Sequence, residues 1–228
     1  MQPYLFPYIG YFQLMNAVDE FVVYDNIEFT KKGWINRNRV LVNGKDEYIT
    51  LTLKKDSDYL HIKDRFLADV WETDRKKIIN RITESYRKAP HFAAAFEVIE
   101  RCILYSDKNL FNFLLNSLQQ INEYLGITTK LVISSTIHCN HSLKSEEKVI
   151  EICKVQNAKT YINPIGGVEL YNKNNFNNEN IELQFLQAEN VEYNQYKNEF
   201  VPGLSIIDVM MFNSKGQISK MLYWFTLK

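Results

Sequence analysis

The sequence lacks an excess of charge of either sign, since 27 lysines and arginines balance 27 aspartates and glutamates. Proteins that bind nucleic acid through its phosphates usually carry a strong surplus of cations. The zero net charge therefore argues against bulk nucleic-acid binding. It leaves open a local patch that receives an aminoacyl-tRNA.

Cysteine is scarce and apolar runs are short. The three cysteines, Cys102, Cys139 and Cys153, are widely spaced and form no CxxC pair. This argues against a disulfide framework or structural zinc and predicts a reducing cytoplasm. No apolar run approaches the roughly 20 residues that span a bilayer. The start, Met1-Gln2-Pro3-Tyr4, has neither the basic segment nor the apolar run of a secretory signal.

The composition, with 46% apolar and 24% charged residues, is typical of a globular protein. From about residue 130 onward, strand-like and helix-like segments alternate. This order favours right-handed crossovers and a mainly parallel sheet with flanking helices. We therefore predict one α/β domain over residues 1–228, with a helical insertion or cap at roughly 73–125.

Local patterns predict several elements. Asn43-Gly44 lies between two β-prone runs and indicates a hairpin turn. A helix is expected over 73–86, beginning at Thr73, and another over 110–125, ending at Gly126. The asparagine-rich stretch 172–180 is expected to be an exposed loop.

The opening segment is the first candidate site. Pro3 and Pro7 favour an extended path, and a helix is expected directly afterwards, with Gly10 in its first turn. A glycine near a helix start allows backbone N–H groups to meet a phosphate or carboxylate. The alternative is a simple turn at a helix start, buried by aromatic residues.

The second candidate runs from Asp25 to Arg39. Asp25 ends a predicted strand, which is where functional groups gather in open α/β sheets. Cations around Trp34 could bind a phosphorylated ligand, with Trp34 as a stacking face. A solvated, charged loop before the hairpin explains the same residues: Lys31, Lys32, Asn36, Arg37, Asn38 and Arg39.

The third candidate follows the strand expected at 130–134. Ser134 and Ser135 suit contacts with oxyanions, and His138 suits proton transfer. His138, Cys139 and His141 do not complete a ligand spacing for zinc, so no metal site is predicted. Exposed loop histidines are the alternative.

Two later segments complete the set. Asn163, Gly166 and Gly167 follow a predicted strand in a loop that could approach a ligand, although no P-loop lysine follows. Ser205 and Asp208 begin a short helix, and Asp208 lies among apolar neighbours where a carboxylate needs a partner.

Taken together, these segments resemble the WbqC-like family of bacterial proteins over essentially the whole chain. The resemblance is carried by the opening Gln2-Pro3-x-x-x-Pro7-Tyr8-Ile9-Gly10-Tyr11-Phe12, the Asp19–Asp25 strand, the Trp34–Asn38 turn, the Tyr161–Tyr171 glycine loop and the closing Leu204–Asp208.

The resemblance implies a role in the biosynthesis of O-antigen and other surface polysaccharides. It implies an enzyme that modifies a nucleotide-linked amino sugar, by N-acylation with an amino acid such as glycine. The alternatives are a non-catalytic subunit that presents a nucleotide-sugar to a glycosyltransferase, and an enzyme that cleaves the amide. The acyl donor stays open between an amino acid with ATP, an aminoacyl-tRNA and a thioester, and a homodimer is compatible with the many aromatic residues.

The layout is more distantly similar to the nucleotidylyl-transferase, or HUP-like, fold. Tyr8-Ile9-Gly10-Tyr11 lies where such enzymes have His-x-Gly-His, but tyrosine supplies no cation at neutral pH. ATP, with its Mg²⁺, would enter only if the acyl group is activated as an adenylate. The family resemblance also implies a short strand before Gln2-Pro3.

The candidate residues fall into two sets. The catalytic candidates are Asp25, His138 and Asp208. The substrate-binding candidates are Gln2, Tyr8, Gly10, Tyr11, Lys31, Trp34, Asn36, Arg37, Asn38, Arg39, Ser134, Ser135, Asn163, Gly166, Gly167, Gln195 and Ser205.

Overall fold

The computed structural model describes residues 1–197 and 199–228, which contain both helices and strands. The helices are α1 (Ile9–Asn16), α2 (Trp71–Tyr86), α3 (Phe92–Ile103), α4 (Leu110–Leu125), α5 (Ser145–Val155), α6 (Lys173–Asn178), α7 (Ile206–Phe212) and α8 (Lys215–Met221). The strands are β1 (Glu20–Val23), β2 (Arg37–Val42), β3 (Lys45–Thr50), β4 (Lys130–Ile133), β5 (Thr160–Pro164), β6 (Glu182–Ala188) and β7 (Phe225–Leu227).

The strands form three small sheets. β1 pairs in parallel with β4, and β2 and β3 form an antiparallel hairpin. β5 pairs in parallel with β6, which pairs antiparallel with β7. The prediction of a mixed α/β protein is confirmed. The prediction of a mainly parallel sheet is confirmed only in part: β1–β4 and β5–β6 are parallel pairs, but the sheets are short and form no clear Rossmann-like core among the described residues.

A cavity of about 670 Å³ is lined by residues of both β1 and β5, which belong to different sheets. At the edge of β1 away from β4, the Met1 amino group donates to the Val22 carbonyl at 2.7 Å. The Tyr24 N–H donates to the Met1 carbonyl at 2.8 Å. These two hydrogen bonds form a parallel bridge between Met1 and Val23. A single bridged residue does not make a strand, so β1 and β5 remain unconnected.

Two hydrophobic clusters stabilise the fold. The larger one contains α1, the β2–β3 hairpin, α2 to α4, α7 and α8. The helices found in the region predicted to be an insertion therefore share a core with α1 and α7. The smaller cluster lies under α5, α6 and the β5–β6 pair. Within the described ranges, no helix is both long and apolar enough to cross a bilayer.

Two local predictions are confirmed in detail. Asn43 and Gly44 connect β2 to β3 with positive φ angles of 51° and 78°. α4 ends at Leu125, and Gly126 follows with a left-handed φ of 75°. In both places the backbone needs a conformation that Asn or Gly adopts at low cost.

Two other local predictions are wrong. α2 begins at Trp71 rather than at Thr73, because the buried Trp71 ring packs edge-on against Phe113 at 5.5 Å and anchors an earlier first turn. The asparagine-rich stretch contains α6 rather than only a loop. Its Phe176 is fully buried and stacks on Tyr161 at 5.5 Å, so one aromatic side chain outweighs the polar composition.

A buried polar network ties α7 to the rest of the fold. The Asp208 side chain is completely buried. Tyr86 donates to its Oδ1 at 2.8 Å, while Tyr193 and Gln195 donate to its Oδ2 at 2.7 and 2.6 Å. The Tyr86 hydroxyl accepts from the Leu41 N–H at 2.7 Å. Burial raises the pKa of Asp208, and the three hydrogen bonds oppose that rise.

Lengthening the chain before Met1 by about five β-branched residues should raise the melting temperature, because the added backbone can pair with β1 and fill the cavity. Burial lowers the pKa of the Met1 amino group to about 5, and the extension replaces this buried amine with an amide. Each kcal/mol gained corresponds to about 2–4 °C in a domain of this size. Thermal unfolding followed by circular dichroism measures the effect.

An extension of equal length that contains two prolines is the matched control, since proline cannot donate to a strand ladder. Equal melting temperatures for the two extended chains would contradict the pairing.

Asp208→Asn should reduce the free energy of unfolding by about 1–3 kcal/mol. In either orientation of the new amide, its NH₂ group faces a hydroxyl or amide that donates a hydrogen bond to the carboxylate in the unmodified protein. Two donors then face each other. Urea unfolding measures the loss. Asp69→Asn, at an exposed ion pair with Lys54, is the control and should change stability little. An unchanged free energy of unfolding in Asp208→Asn would show that the network does not hold α7.

Candidate functional site

The parallel strands β1 and β4 place polar groups together just beyond their carboxyl ends. Asp25 lies two residues after β1, and Ser134 and Ser135 directly follow β4. The Ser134 hydroxyl and the Ser135 N–H both donate to Asp25 Oδ1, each at 2.9 Å. Residues more than 100 positions apart in the sequence thus form one contact group.

This group continues through Asn26 to His141. Asn26 Oδ1 lies 2.6 Å from Ser134 Oγ, and Asn26 Nδ2 lies 3.1 Å from His141 Nδ1. His141 Nε2 lies 3.0 Å from the Ile137 carbonyl, which can only accept. Nε2 therefore carries the proton, and Nδ1 accepts from the Asn26 amide. We call Asp25, Asn26, Ser134, Ser135 and His141 the Asp25 cluster.

The Asp25 carboxylate is an anion with one oxygen left for a ligand. Its residue is only 3% exposed. Burial pushes the pKa of Asp25 up, but hydrogen bonds from Ser135 and Ser134 outweigh this and the pKa is lowered. Asp25 is therefore ionised at neutral pH. Its Oδ2 has no hydrogen-bond partner in the part of the chain that the structure describes.

Gln2 lies beside the edge of β1, and Asn163 lies in β5. Because Met1 bridges Val23, Gln2 runs alongside Tyr24, next to the Asp25 cluster. Asn163, in β5, accepts from the Tyr161 hydroxyl at 3.2 Å.

The glycine loop after β5 is shaped by the Asn163 amide. A Cβ added to Gly167 would lie 2.1 Å from Asn163 Nδ2, so any larger residue would displace that amide. A Cβ on Gly166 would meet no atom within 4 Å, so this part of the loop is open.

The opening loop is held by two buried side chains proposed from the sequence as substrate-binding. Asn38 Nδ2 donates to the carbonyls of Leu5 and Phe6 at 2.9 and 2.8 Å. Ser205 Oγ donates to the same Phe6 carbonyl at 2.7 Å. Phe6 has a φ of 41°, a left-handed conformation that bulky residues rarely adopt. Asn38 and Ser205 thus position the loop.

The start of α1 is covered rather than open. A Cβ on Gly10 would lie 2.3 Å from the Tyr8 ring, so that ring occupies the space in which an anion would approach Gly10. Tyr11 is buried and its hydroxyl donates to the Gln2 carbonyl at 2.9 Å. Asn36 donates from Nδ2 to the Leu51 carbonyl at 2.9 Å.

A second group forms an exposed face on the hairpin. Trp34 and Tyr48, 39% and 45% exposed, stack with ring centroids 6.3 Å apart. The Arg37 guanidinium lies 4.6 Å from the Tyr48 ring centroid, and that of Arg39 lies 5.7 Å from the Trp34 ring centroid. We call these four residues the aromatic face. Sequence reasoning missed Tyr48, although its position across the hairpin from Arg39 was available from the Asn-Gly turn.

The cations proposed for phosphate binding already have protein partners. Lys31 pairs with Asp58 at 2.8 Å. Arg37 donates to the carbonyls of Lys32 and Gly33. These contacts occupy donors that a phosphate would need.

Arg39 is similarly engaged. It pairs with Asp46 at 3.0 Å and donates to the Gly203 carbonyl at 3.2 Å. Its position beside Trp34 makes it part of the aromatic face rather than a free cation.

His138, Asp208 and Gln195 are among the proposed residues that lie outside the Asp25 cluster. His138 is exposed, and its ring makes no hydrogen bond with the described residues. Asp208 and Gln195 belong to the buried network under α7. Cys139 Sγ lies 3.8 Å from His141 Nδ1, but within the described ranges no three His, Cys, Asp or Glu side chains are arranged to hold a metal.

One short stretch connects the Asp25 cluster to the aromatic face. Met1 bonds to Tyr24 at one end, and the Leu5 N–H donates to the Trp34 carbonyl at 3.0 Å at the other. The Cα atoms of Met1 and Leu5 are at most about 14 Å apart, since each residue extends by at most about 3.6 Å.

Comparison with known proteins agrees with the motifs. The chain is 29% identical over 217 residues to the protein described as uncharacterized protein Rv1507c, from Mycobacterium tuberculosis strain H37Rv. The alignment covers 91% of this chain and 89% of that protein. No solved structure is significantly similar to the chain. The model of the WbqC-like protein family matches residues 2–220, which confirms the resemblance: the chain belongs to the WbqC-like family.

Proposed function

We propose that the protein is an enzyme of surface-polysaccharide biosynthesis that acylates the amine of a nucleotide-linked amino sugar, with an amino acid such as glycine as the acyl group. One observation carries the proposal. Asp25 is ionised, is held by Ser134 and Ser135, and keeps Oδ2 available where ligands bind in open α/β sheets. Such an oxygen accepts a hydrogen bond from an amine.

The reaction joins the sugar nitrogen to the acyl carbon, releases the donor's leaving group with its bonding electrons, and removes one proton from the nitrogen. Its lowered pKa makes Asp25 a weak base toward a free ammonium. After the neutral amine attacks, however, the nitrogen carries a positive charge and its proton is far more acidic. Asp25 Oδ2 thus orients the amine first and accepts the proton afterwards.

The aromatic face provides a platform for the nucleotide. Trp34 and Tyr48 present stacked, half-exposed rings, and a nucleobase stacks favourably on such rings. The loop from Met1 to Leu5 spans from this face to Tyr24, beside Asp25. A nucleotide on the aromatic face could thereby extend its sugar toward the Asp25 cluster.

Asp25→Asn should lower kcat by about 10²–10⁴-fold and leave the affinity for the nucleotide-sugar within a few fold, since a positioned base contributes that much to rate. Mass spectrometry detects the amide after incubation with UDP-linked amino sugars bearing a free amine. The donors supplied are glycine with ATP and Mg²⁺, glycyl-tRNA, and a glycyl thioester. Calorimetry measures the affinity.

Asp58→Asn, which changes an exposed carboxylate paired with Lys31, is the control and should keep full activity. Binding of a nucleotide-sugar without amide formation from any donor would favour the binding subunit instead. Release of free amino acid from an acylated sugar would show the hydrolytic direction.

Trp34→Leu should raise KM for the nucleotide-sugar about tenfold or more and leave kcat nearly unchanged, because stacking of one base contributes about 1–3 kcal/mol to binding. Steady-state kinetics separates the two constants. Trp224 has the same exposure as Trp34 but lies beside β7, so Trp224→Leu serves as the control. A fall in kcat with an unchanged KM would argue against a nucleotide platform.

A further inference from the structure

Lys148 is a buried cation with no role in the chemistry described above. It lies in the N-terminal half of α5 and is only 8% exposed. Its ammonium lies 5.4 Å from the centroid of the Tyr24 ring. Within residues 1–197 and 199–228, its side chain forms neither an ion pair nor a hydrogen bond. The Lys148 ammonium is not fully shut off from solvent, so an anion can reach it, and a largely buried cation is stabilised by an accompanying anion.

The nearby acidic residue of α5 does not provide that anion. The Glu146 carboxylate accepts from the Asn172 N–H and the Asn175 amide, and these contacts hold α5 against the start of α6. The other acidic residues of α5, Glu147 and Glu151, form no ion pair with Lys148 among the described residues, so its own helix gives Lys148 no ion-pair partner.

The surroundings of Lys148 suit an anionic ligand. α5 follows β4 in the chain, and Tyr24, which faces Lys148, is adjacent to Asp25. The Tyr24 hydroxyl has no hydrogen-bond partner in the part of the chain described. Burial raises the pKa of Tyr24, with Tyr171 and two cysteines adding to the rise. The hydroxyl therefore stays protonated and can donate.

We propose that Lys148 and the Tyr24 hydroxyl bind a phosphoryl group of the substrate's diphosphate. The identity of the substrate rests on the proposed function, while the anion site rests on Lys148 itself. The substrate's diphosphate needs a cation, and Lys31, Arg37 and Arg39, the cations proposed for it from the sequence, already contact protein acceptors. Lys148 supplies the charge that they do not.

The test uses Lys148→Met, which keeps the unbranched apolar stem and removes the charge. Inorganic pyrophosphate at low ionic strength should raise the melting temperature of the unmodified protein and bind measurably in calorimetry. In Lys148→Met, Kd for pyrophosphate should rise at least tenfold. The melting temperature without ligand should stay the same or increase, because a buried unpaired charge is removed.

Lys154→Met provides a matched control on the same helix. Lys154 is exposed and pairs with Glu179 at 2.9 Å, so its removal should leave pyrophosphate binding intact. Tyr24→Phe removes only the hydroxyl and should weaken pyrophosphate binding severalfold while retaining the ring that faces Lys148.

Three outcomes would overturn the inference. A destabilised Lys148→Met that still binds pyrophosphate would show that Lys148 serves only to pack against Tyr24. Stabilisation by glycine or acetate but not by pyrophosphate would assign a carboxylate site. No stabilisation of the unmodified protein by pyrophosphate would exclude the phosphoryl site.

The two proposals fail separately. Pyrophosphate binding that depends on Lys148, together with no amide product, would retain this site and remove the acyl-transfer reaction. Amide formation that is unaffected by Lys148→Met would retain the acyl-transfer reaction and remove the phosphoryl site.

Discussion

The carbonyl group of Phe6 is the point at which three distant segments of the chain are joined. Asn38 and Ser205 both donate to it, and a left-handed φ at Phe6 turns it toward them. Such a conformation costs about 1–3 kcal/mol, and two net hydrogen bonds of about 0.5–1.5 kcal/mol each offset most of that cost. The opening loop is therefore a rigid bridge between the edge of β1 and the hairpin.

Asp208 and Asp25 are both buried carboxylates, but they differ in whether an oxygen is available to a ligand. Asp208 has a raised pKa and both oxygens occupied by Tyr86, Tyr193 and Gln195. Asp25 has a lowered pKa and donors on only one oxygen. Asp208 can thus hold α7 in place but offers nothing to a ligand, whereas Asp25 joins the ends of β1 and β4 through Oδ1 and keeps Oδ2 available.

Sequence patterns predicted those features that depend on local conformation. The Asn43-Gly44 turn and the end of α4 at Gly126 follow from backbone geometry, which neighbouring residues determine. The same patterns failed where one buried aromatic ring decides the outcome, as Phe176 does in α6. They also gave no sign of Lys148, because whether a cation has a partner depends on residues distant in sequence.

The backbone pairing of Met1 with the edge of β1 connects this sheet to the Asp25 cluster. The hydrogen bond that the Tyr24 N–H donates to the Met1 carbonyl positions the backbone of Tyr24, whose ring lies 5.4 Å from the Lys148 ammonium, and Gln2 runs beside Tyr24. Tyr24 leads directly into Asp25, so any displacement of this edge moves the proposed phosphoryl-binding group and the carboxylate together. Only the two hydrogen bonds between Met1 and the edge of β1 hold this edge in the described residues. Each further residue paired along β1 would make the edge more rigid. The backbone pairing along the free edge of β1 and the positions of Tyr24 and Asp25 are therefore coupled in this fold.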